Sequence, residues 1–195
     1  MGREIEYKLK AQNVRELDEA YARVRACAEA APERNIEMFT RYFDTPEGDL
    51  KELRWTLRIR RENERQVLTC KTPGGDHSRG EWELIRTTDA PEPTAAELRT
   101  LADMGAPEAL CTLAPLRQVC GARFTRRCTM LALSDARIEL AADAGELFGE
   151  KTGEAFFELE LELYAGNADR LAALARVAAL PEEIRSKQAR AMQLL

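Results

Sequence analysis

The sequence predicts an α+β fold, in which a closed eight-stranded antiparallel β-barrel forms a tunnel and helices pack outside it. About eight segments alternate apolar with charged residues, which is the side-chain pattern of β-strands. Their charged faces carry Lys or Arg in one segment and Glu or Asp in another. Amphipathic helical segments can cover the apolar faces, and closing an antiparallel sheet removes its unpaired edges. We therefore expect a single domain over residues 1–195 with a hydrated, charged interior.

The first predicted strand covers residues 4–8 and sets this pattern. Glu4, Glu6 and Lys8 share one face, while Ile5 and Tyr7 share the other. Two carboxylates followed by an amine can hold a divalent cation and meet an anion beside it. The competing interpretation is an ordinary solvated strand face, and the repetition of the pattern along the chain argues against it.

The remaining elements follow in a regular order along the chain. Asn13 and Thr94 each precede a glutamate by three positions, which predicts capped helices reaching about residues 28 and 104. Asn167 predicts a helix to about residue 180, and Ser186 predicts a last one. A turn is expected near residues 144–145. The alternating pattern predicts the later strands over residues 36–45, 55–61, 67–71, 79–86, 116–133, 137–143 and 157–163.

Composition limits the classes of function. The net charge is −5 and the isoelectric point is about 5.2, so the chain has no global basic field to attract nucleic acid or an anionic membrane. No apolar run approaches the roughly 20 residues that span a bilayer, and the amino terminus lacks the layout of a signal peptide. We therefore expect a cytoplasmic protein that binds neither nucleic acid nor membrane.

The cysteines and the histidine restrict the chemistry. The five cysteines show no paired short spacing of the kind that marks a zinc site, so we expect reduced thiols. The single histidine, His77, lies in a polar run over residues 74–78 that predicts a hairpin loop. Ser-His-Asp and Cys-His chemistry are thereby nearly excluded. Catalysis in this chain would use carboxylates, Lys, Arg and a metal ion.

Eight short blocks carry charged residues at regular places along the whole chain. They are Glu4-Ile5-Glu6-Tyr7-Lys8, Tyr42-Phe43-Asp44-Thr45, Leu57-Arg58-Ile59-Arg60, Leu68-Thr69-Cys70-Lys71, Arg79-Gly80-Glu81-Trp82-Glu83, Ile138-Glu139-Leu140 with Asp143, Glu158-Leu159-Glu160, and Ser186-Lys187 with Arg190. In this order and spacing the chain resembles the CYTH superfamily, also called triphosphate tunnel metalloenzymes. The resemblance implies an eight-stranded antiparallel tunnel that binds linear triphosphates.

The resemblance also implies a role for individual residues. The residues implied to bind phosphate oxygens are Lys8, Arg58, Arg60, Lys71, Arg79, Arg123, Arg127, Lys187 and Arg190. Those implied to hold Mg²⁺ or Mn²⁺ are Glu4, Glu6, Asp143, Glu158 and Glu160. Those implied to orient the basic groups are Glu81, Glu83, Glu139, Tyr42 and Asp44, with a second metal as the alternative role of Glu81, Glu83 and Glu139. Glu4, Glu6 and Lys187 are the implied catalytic residues, with Lys187 positioning the attacking water or protonating the leaving group.

One basic position of the tunnel is open to choice, because the strand predicted over residues 116–133 offers three arginines. A tight reversal is expected at residues 134–136, after which Glu139 returns on the next strand. Arg123 and Arg127 have odd residue numbers, as Glu139 does. Alternation across the hairpin therefore favours these two arginines over Arg126 as the residues that face the tunnel.

The function implied first is metal-dependent hydrolysis of inorganic tripolyphosphate to pyrophosphate and phosphate. Water activated by the cation would attack a terminal phosphoryl group through a loose transition state. The alternatives are a class IV-type adenylate cyclase, a thiamine triphosphatase and a non-catalytic sensor of polyphosphate or nucleotide. The three enzyme activities use the same triphosphate-binding residues, so these residues do not distinguish between them. Metal-binding carboxylates on the first and last strands argue against a sensor. We expect a monomer or a homodimer.

Overall fold

The structure is a computed structural model that describes residues 2–74 and 78–195, so the predicted hairpin loop with His77 lies outside the described residues. The strands are β1 (Gly2–Lys10), β2 (Glu29–Ala30), β3 (Arg34–Asp44), β4 (Thr56–Glu62), β5 (Arg65–Pro73), β6 (Ser78–Ile85), β7 (Arg117–Ala132), β8 (Ala136–Phe148) and β9 (Gly153–Gly166). The α-helices are α1 (Val14–Arg25), α2 (Asp49–Glu52), α3 (Ala95–Asp103), α4 (Asp169–Ala178) and α5 (Lys187–Ala191). Two 3₁₀ helices cover Glu108–Thr112 and Met192–Leu194.

Eight of the strands form a closed antiparallel barrel. Their order is β7-β3-β4-β5-β6-β1-β9-β8, and pairing of β8 with β7 closes the ring. The short strand β2 pairs with the end of β7 as an addition to the ring. The predicted fold class is therefore confirmed. In this ring β4 and β9 lie on opposite walls, four strands apart in either direction.

Two helices cover the outside of β1, β8 and β9. Leu17 and Tyr21 of α1 and Leu171 of α4 are buried in one cluster with apolar residues of these strands. The Asn13 side-chain oxygen accepts a hydrogen bond from the Glu16 N–H at 3.0 Å, as its position in the sequence predicts. Burial of this apolar stripe turns the charged faces of β1, β8 and β9 toward the barrel axis.

A second apolar cluster lies between α3 and the outer faces of β4–β6. Leu98 and Leu101 of α3 pack here with Leu57, which lies on β4. The predicted capping box is present, because Thr94 and Glu97 each bond the other's backbone N–H. The apolar residues of β4 are thereby buried on the outside, and the arginines that alternate with them face the interior.

Strand β8 extends through the turn that the sequence predicts near residues 144–145. Gly145 lies so close to the neighbouring strand that a Cβ at this position would be 2.2 Å from the backbone oxygen of Arg123. Gly145 therefore permits a close approach of two strands, and the chain reverses only after Phe148. Helix α1 also ends earlier than expected, at Arg25.

Helix α5 closes part of one end of the barrel. The Ser186 hydroxyl accepts from the Ala189 N–H at 3.0 Å, which begins the helix where the sequence predicts it. Lys187, Gln188 and Ala191 are buried against the barrel. Among the described residues, no helix has the length and apolar character required to cross a membrane.

Candidate active site

The barrel encloses a cavity of about 240 Å³ whose walls are mostly charged. The side chains come from alternate positions of the strands and from the start of α5. They are Glu4, Glu6, Lys8, Tyr42, Thr56, Arg58, Arg60, Glu62, Lys71, Arg79, Glu81, Glu83, Arg126, Glu139, Glu160, Glu162, Ser186, Lys187 and Gln188. The structure thus brings most of the predicted site residues to one place.

The cavity has a basic wall on β4. Arg60 is buried, with 6% of its surface exposed, and its Nε donates to the Thr40 hydroxyl at 3.0 Å. Across residues 2–74 and 78–195, no carboxylate lies within ion-pair distance of Arg60. Burial lowers the pKa of Arg60, and the like charges of Arg58 and Arg126 lower it further. A buried guanidinium without a counter-charge is costly unless an anion binds it.

Arg58 lies beside Arg60 on the same wall. One of its terminal nitrogens is 3.7 Å from Glu81 and 3.9 Å from Glu83, and its Nε has no hydrogen-bond partner among the described residues. These distances exceed ordinary hydrogen-bond lengths, so the guanidinium N–H groups of Arg58 remain available to a ligand. The basic wall therefore offers two guanidinium groups to an anion in the cavity.

A first carboxylate cluster faces this wall. Single oxygens of Glu4, Glu81 and Glu162 lie within 4.8 Å of one another. The Lys71 ammonium bonds both oxygens of Glu4, at 2.6 and 2.7 Å, and lies 3.1 Å from Glu81. Burial, followed by the nearby charge of Glu4, raises the pKa of Glu162 to about 8. A cation bound among these oxygens would relieve that repulsion.

A second carboxylate cluster lies deeper, under α5, and consists of Asp143, Glu158 and Glu160. The Lys187 ammonium contacts all three, at 2.9 Å from Asp143 and 2.6 Å from Glu160. Burial alone would lower the pKa of Lys187, but these carboxylates together outweigh it and raise the pKa. Lysine held so firmly in its charged form is a poor proton donor at neutral pH. This geometry favours an electrostatic role for Lys187 over the predicted protonation of a leaving group.

Arg126 occupies the basic position that the sequence left open. Its Nε and one terminal nitrogen donate to the two oxygens of Asp143 at 2.8 and 2.7 Å, in the interior. Arg123 has 69% of its side chain exposed, and Arg127 donates to Asp18 of α1 at 2.6 Å on the outside. The prediction that Arg123 and Arg127 line the tunnel is therefore wrong.

The physical reason is the length of the reversal between β7 and β8. Ala132 on β7 pairs with Arg137 on β8. Each even-numbered residue of β7 therefore pairs with an odd-numbered residue of β8, and each odd-numbered residue with an even-numbered one. Arg126 consequently pairs with Asp143 and points to the same side of the sheet as Glu139. One residue more in the turn would have brought the other two arginines inside.

Three further predicted residues are placed differently from expectation. Asp44 accepts from the backbone N–H groups of Thr45 and Leu50, both at 2.8 Å, so it caps α2 and orients no cavity side chain. Arg190 contacts Glu158 behind the cavity lining, where no phosphate would reach it directly. Glu6 joins neither carboxylate cluster and instead lies 3.0 Å from Lys8 and 3.5 Å from Arg79.

Glu162 and Gln188 are two of the cavity residues, besides Arg126, that the sequence interpretation missed. Glu162 shares the parity of Glu158 and Glu160, so the alternation itself was a signal for it. Gln188 accepts a hydrogen bond from the Thr56 hydroxyl at 2.6 Å at the end of the cavity, and no sequence pattern marks it.

The donor set of both clusters fits a hard divalent cation. Carboxylate oxygens are the ligands that Mg²⁺ and Mn²⁺ prefer, and each cluster brings three of them together. Glu4, Glu81 and Glu162 offer the first candidate site, and Asp143, Glu158 and Glu160 offer the second. The first cluster lines the cavity, whereas in the second cluster Glu160 lines it and Asp143 and Glu158 lie behind, where a metal ion would take the place of the Lys187 ammonium.

Comparison with known proteins connects this site to a family. The family model of the CYTH domain matches residues 2–191. An inorganic triphosphatase of Haemophilus influenzae is 30% identical over 141 residues, which is 70% of this chain. The chain spans about 39% of the length of that relative.

Solved structures share the fold at low sequence identity. The PH1819 protein of Pyrococcus horikoshii has a TM-score of 0.62 and 21% identity, covering 97% of this chain and 98% of its own. A candidate adenylyl cyclase of Hippeastrum, for which a dominant triphosphatase activity is stated, has a TM-score of 0.54 and 18% identity, covering 99% of this chain and 96% of its own. At these identities the likeness concerns the fold.

Proposed function

The chain belongs to the CYTH domain family, and from this membership we propose that it is a metal-dependent hydrolase that cleaves inorganic tripolyphosphate to pyrophosphate and phosphate. The observation that carries the proposal is the buried guanidinium of Arg60, which makes no ion pair with any described carboxylate and lies opposite two clusters of carboxylates. A linear anion of several charges, together with a divalent cation, would satisfy both walls at once.

The basic residues of the cavity would bind the phosphate oxygens. Arg58 and Arg60 present forked donors that suit bidentate contact with phosphate. Lys71 and Lys187 now bond carboxylates, and each has an ammonium that can be shared with an anion in the cavity. Because Lys187 remains charged, it would stabilise the negative charge that develops on the transferring and leaving oxygens.

The carboxylates would hold the cation beside the phosphates. A bound Mg²⁺ or Mn²⁺ supplies activation of water and neutralises phosphate charge. Asp143 and Glu160 are themselves fixed by Arg126, so their position is set before substrate binds. Glu81 lies 3.1 Å from the Lys71 ammonium and helps to orient it.

The polarity of the cavity favours the bare triphosphate over an organic one. Pockets for drug-sized organic ligands are lined mainly by apolar groups. This cavity is lined mainly by charged groups. The named activity of the Haemophilus relative supports the same choice, and a cyclase or thiamine triphosphatase remains the second candidate.

The experiment is phosphate release from tripolyphosphate, ATP and thiamine triphosphate, each with Mg²⁺, with Mn²⁺ and with chelator. We expect metal-dependent release with the highest kcat/KM for tripolyphosphate, and one phosphate and one pyrophosphate per turnover. Formation of cyclic AMP and pyrophosphate from ATP would support the cyclase instead. Binding of all three compounds without turnover would support a sensor.

A further inference from the structure

The cavity opens at one end into a larger vestibule of about 540 Å³. The two spaces share Lys8, Thr56 and Lys71 as lining residues, so they are continuous. The vestibule adds Arg54 from the segment after α2 and Arg185 from the segment before α5. An anion in the cavity can therefore extend outward past these basic groups.

The part of the cavity away from the vestibule carries further carboxylates. Strand β4 runs from Thr56 at the vestibule to Glu62 at the far end, and Glu62, Glu83 and Glu139 line the cavity but not the vestibule. Carboxylates repel a phosphate chain, whereas basic groups outnumber acidic ones in the vestibule, whose charged lining residues are Lys8, Arg54, Lys71, Arg79 and Arg185 with Glu6, Glu182 and Glu183. The projecting part of a long linear anion would consequently lie in the vestibule.

Arg54 differs from the other basic groups of the vestibule. Lys8 is bonded to Glu6 at 3.0 Å, Lys71 to Glu4, and Arg185 to Glu183. The Arg54 side chain makes no ion pair with any carboxylate in the part of the chain that the structure describes. It is exposed at the rim, and its charge is available to a ligand.

The backbone at Arg54 is also unusual. Its φ is +57°, in the left-handed region, directly after the end of α2. Glycine is the residue that ordinarily follows a helix in this conformation, because a Cβ disfavours it. The Trp55 N–H donates to the Leu50 oxygen at 2.8 Å and holds this conformation.

We propose that Arg54 is the cation of an outer subsite that binds the part of a linear polyphosphate projecting from the cavity. Its ligands are chains longer than three phosphates. This inference rests on the proposed function, because it assumes that the cavity holds the first phosphates of the chain.

The test measures binding of tripolyphosphate and tetrapolyphosphate by isothermal titration calorimetry in chelator, where hydrolysis is absent. Three variants accompany the wild type: Arg54→Gly, Arg54→Lys and the matched control Ala179→Gly. Ala179 has a φ of +54° after α4, so its replacement relieves the same backbone strain without removing a charge. Urea unfolding of each variant shows whether the fold is intact.

We expect tetrapolyphosphate to bind the wild type more tightly than tripolyphosphate. Arg54→Gly should weaken tetrapolyphosphate binding about tenfold, the scale of one charge-assisted contact, and tripolyphosphate binding much less. Arg54→Lys should retain most of the affinity, and Ala179→Gly should retain all of it.

The subsite is overturned if tetrapolyphosphate has no advantage in the wild type or keeps that advantage in Arg54→Gly. An equal loss for both anions would also overturn it, because a rim charge acting at long range does not distinguish chain lengths. Since no turnover is measured, a protein that binds both anions but hydrolyses neither would remove the proposed activity and leave the subsite in place.

Discussion

Replacing Arg126 with glutamine tests the arrangement of the buried charges. Arg126 makes two hydrogen bonds to Asp143, at 2.8 and 2.7 Å, and it also contacts Glu160. Asp143 is fully buried, and after the substitution Lys187 remains beside it at 2.9 Å as a basic partner. Breaking a buried ion pair by removing one member costs about 3–5 kcal/mol, and the remaining lysine places the expected loss near the lower end.

The assay is urea unfolding at neutral pH in chelator, followed by tryptophan fluorescence. With a denaturant slope of about 2 kcal/mol per molar urea, a loss of about 3 kcal/mol lowers the midpoint by about 1.5 M. The matched control is Arg123→Gln, because that side chain is 69% exposed and its carboxylate partner, Glu146, is 3.9 Å away. We expect the control to change stability by less than about 0.5 kcal/mol. Equal midpoints for Arg126→Gln and wild type, or an equal loss in the control, would show that Arg126 does not stabilise the buried carboxylates.

Two further predictions concern titration and thiol reactivity. Because the folded protein keeps the Glu162 proton up to about pH 8, whereas an ordinary glutamate releases it near pH 4.5, stability in chelator should fall as pH rises through this window. The measurement is the urea midpoint of the wild type and of Glu162→Gln as a function of pH. The variant should lack this fall, and parallel profiles for the two proteins would contradict the prediction. In the native protein, Ellman's reagent should react first with the exposed Cys27 and Cys111, since burial raises the pKa of Cys70 and Cys120 to about 12. Labelling of Cys70 as fast as Cys27, read by peptide mass spectrometry, would contradict it.

The charged interior could be predicted because strand parity is a local property of the sequence. Alternation on β1 puts Glu4 and Lys8 on one face, and alternation on β4 does the same for Arg58 and Arg60. The apolar residues between them identify the outer face, and amphipathic helices provide its cover. The fold and most of the cavity lining follow from these two facts.

The parts that the sequence did not predict depend on contacts between segments. Arg126 enters the cavity because the reversal from β7 to β8 fixes opposite parity between pairing residues, and one residue in that turn decides the outcome. Asp44 belongs to a conspicuous sequence block, yet its carboxylate is used by the backbone of α2. Gly145 resembles a turn residue but permits close packing of two strands. Each of these depends on a neighbour that the local pattern does not specify.

The most direct test of the account compares Arg60→Gln with Arg61→Gln. These neighbours on β4 point to opposite faces, Arg60 into the cavity and Arg61 to the outside. The measurement is kcat/KM for tripolyphosphate with Mg²⁺, beside the urea midpoint of each variant. Arg60→Gln should lose about 100-fold in kcat/KM, which corresponds to about 3 kcal/mol of lost charge-assisted contact.

The same variant should unfold at an equal or higher urea concentration than wild type, because it removes a buried charge without leaving a carboxylate unpaired. Arg61→Gln should stay within about threefold of wild-type activity, the scale of a surface substitution. We therefore expect a loss of activity without a loss of stability in Arg60→Gln and neither loss in Arg61→Gln. Equal activities for both variants, or an activity loss in Arg60→Gln that merely follows unfolding, would contradict a binding site for triphosphate in this barrel.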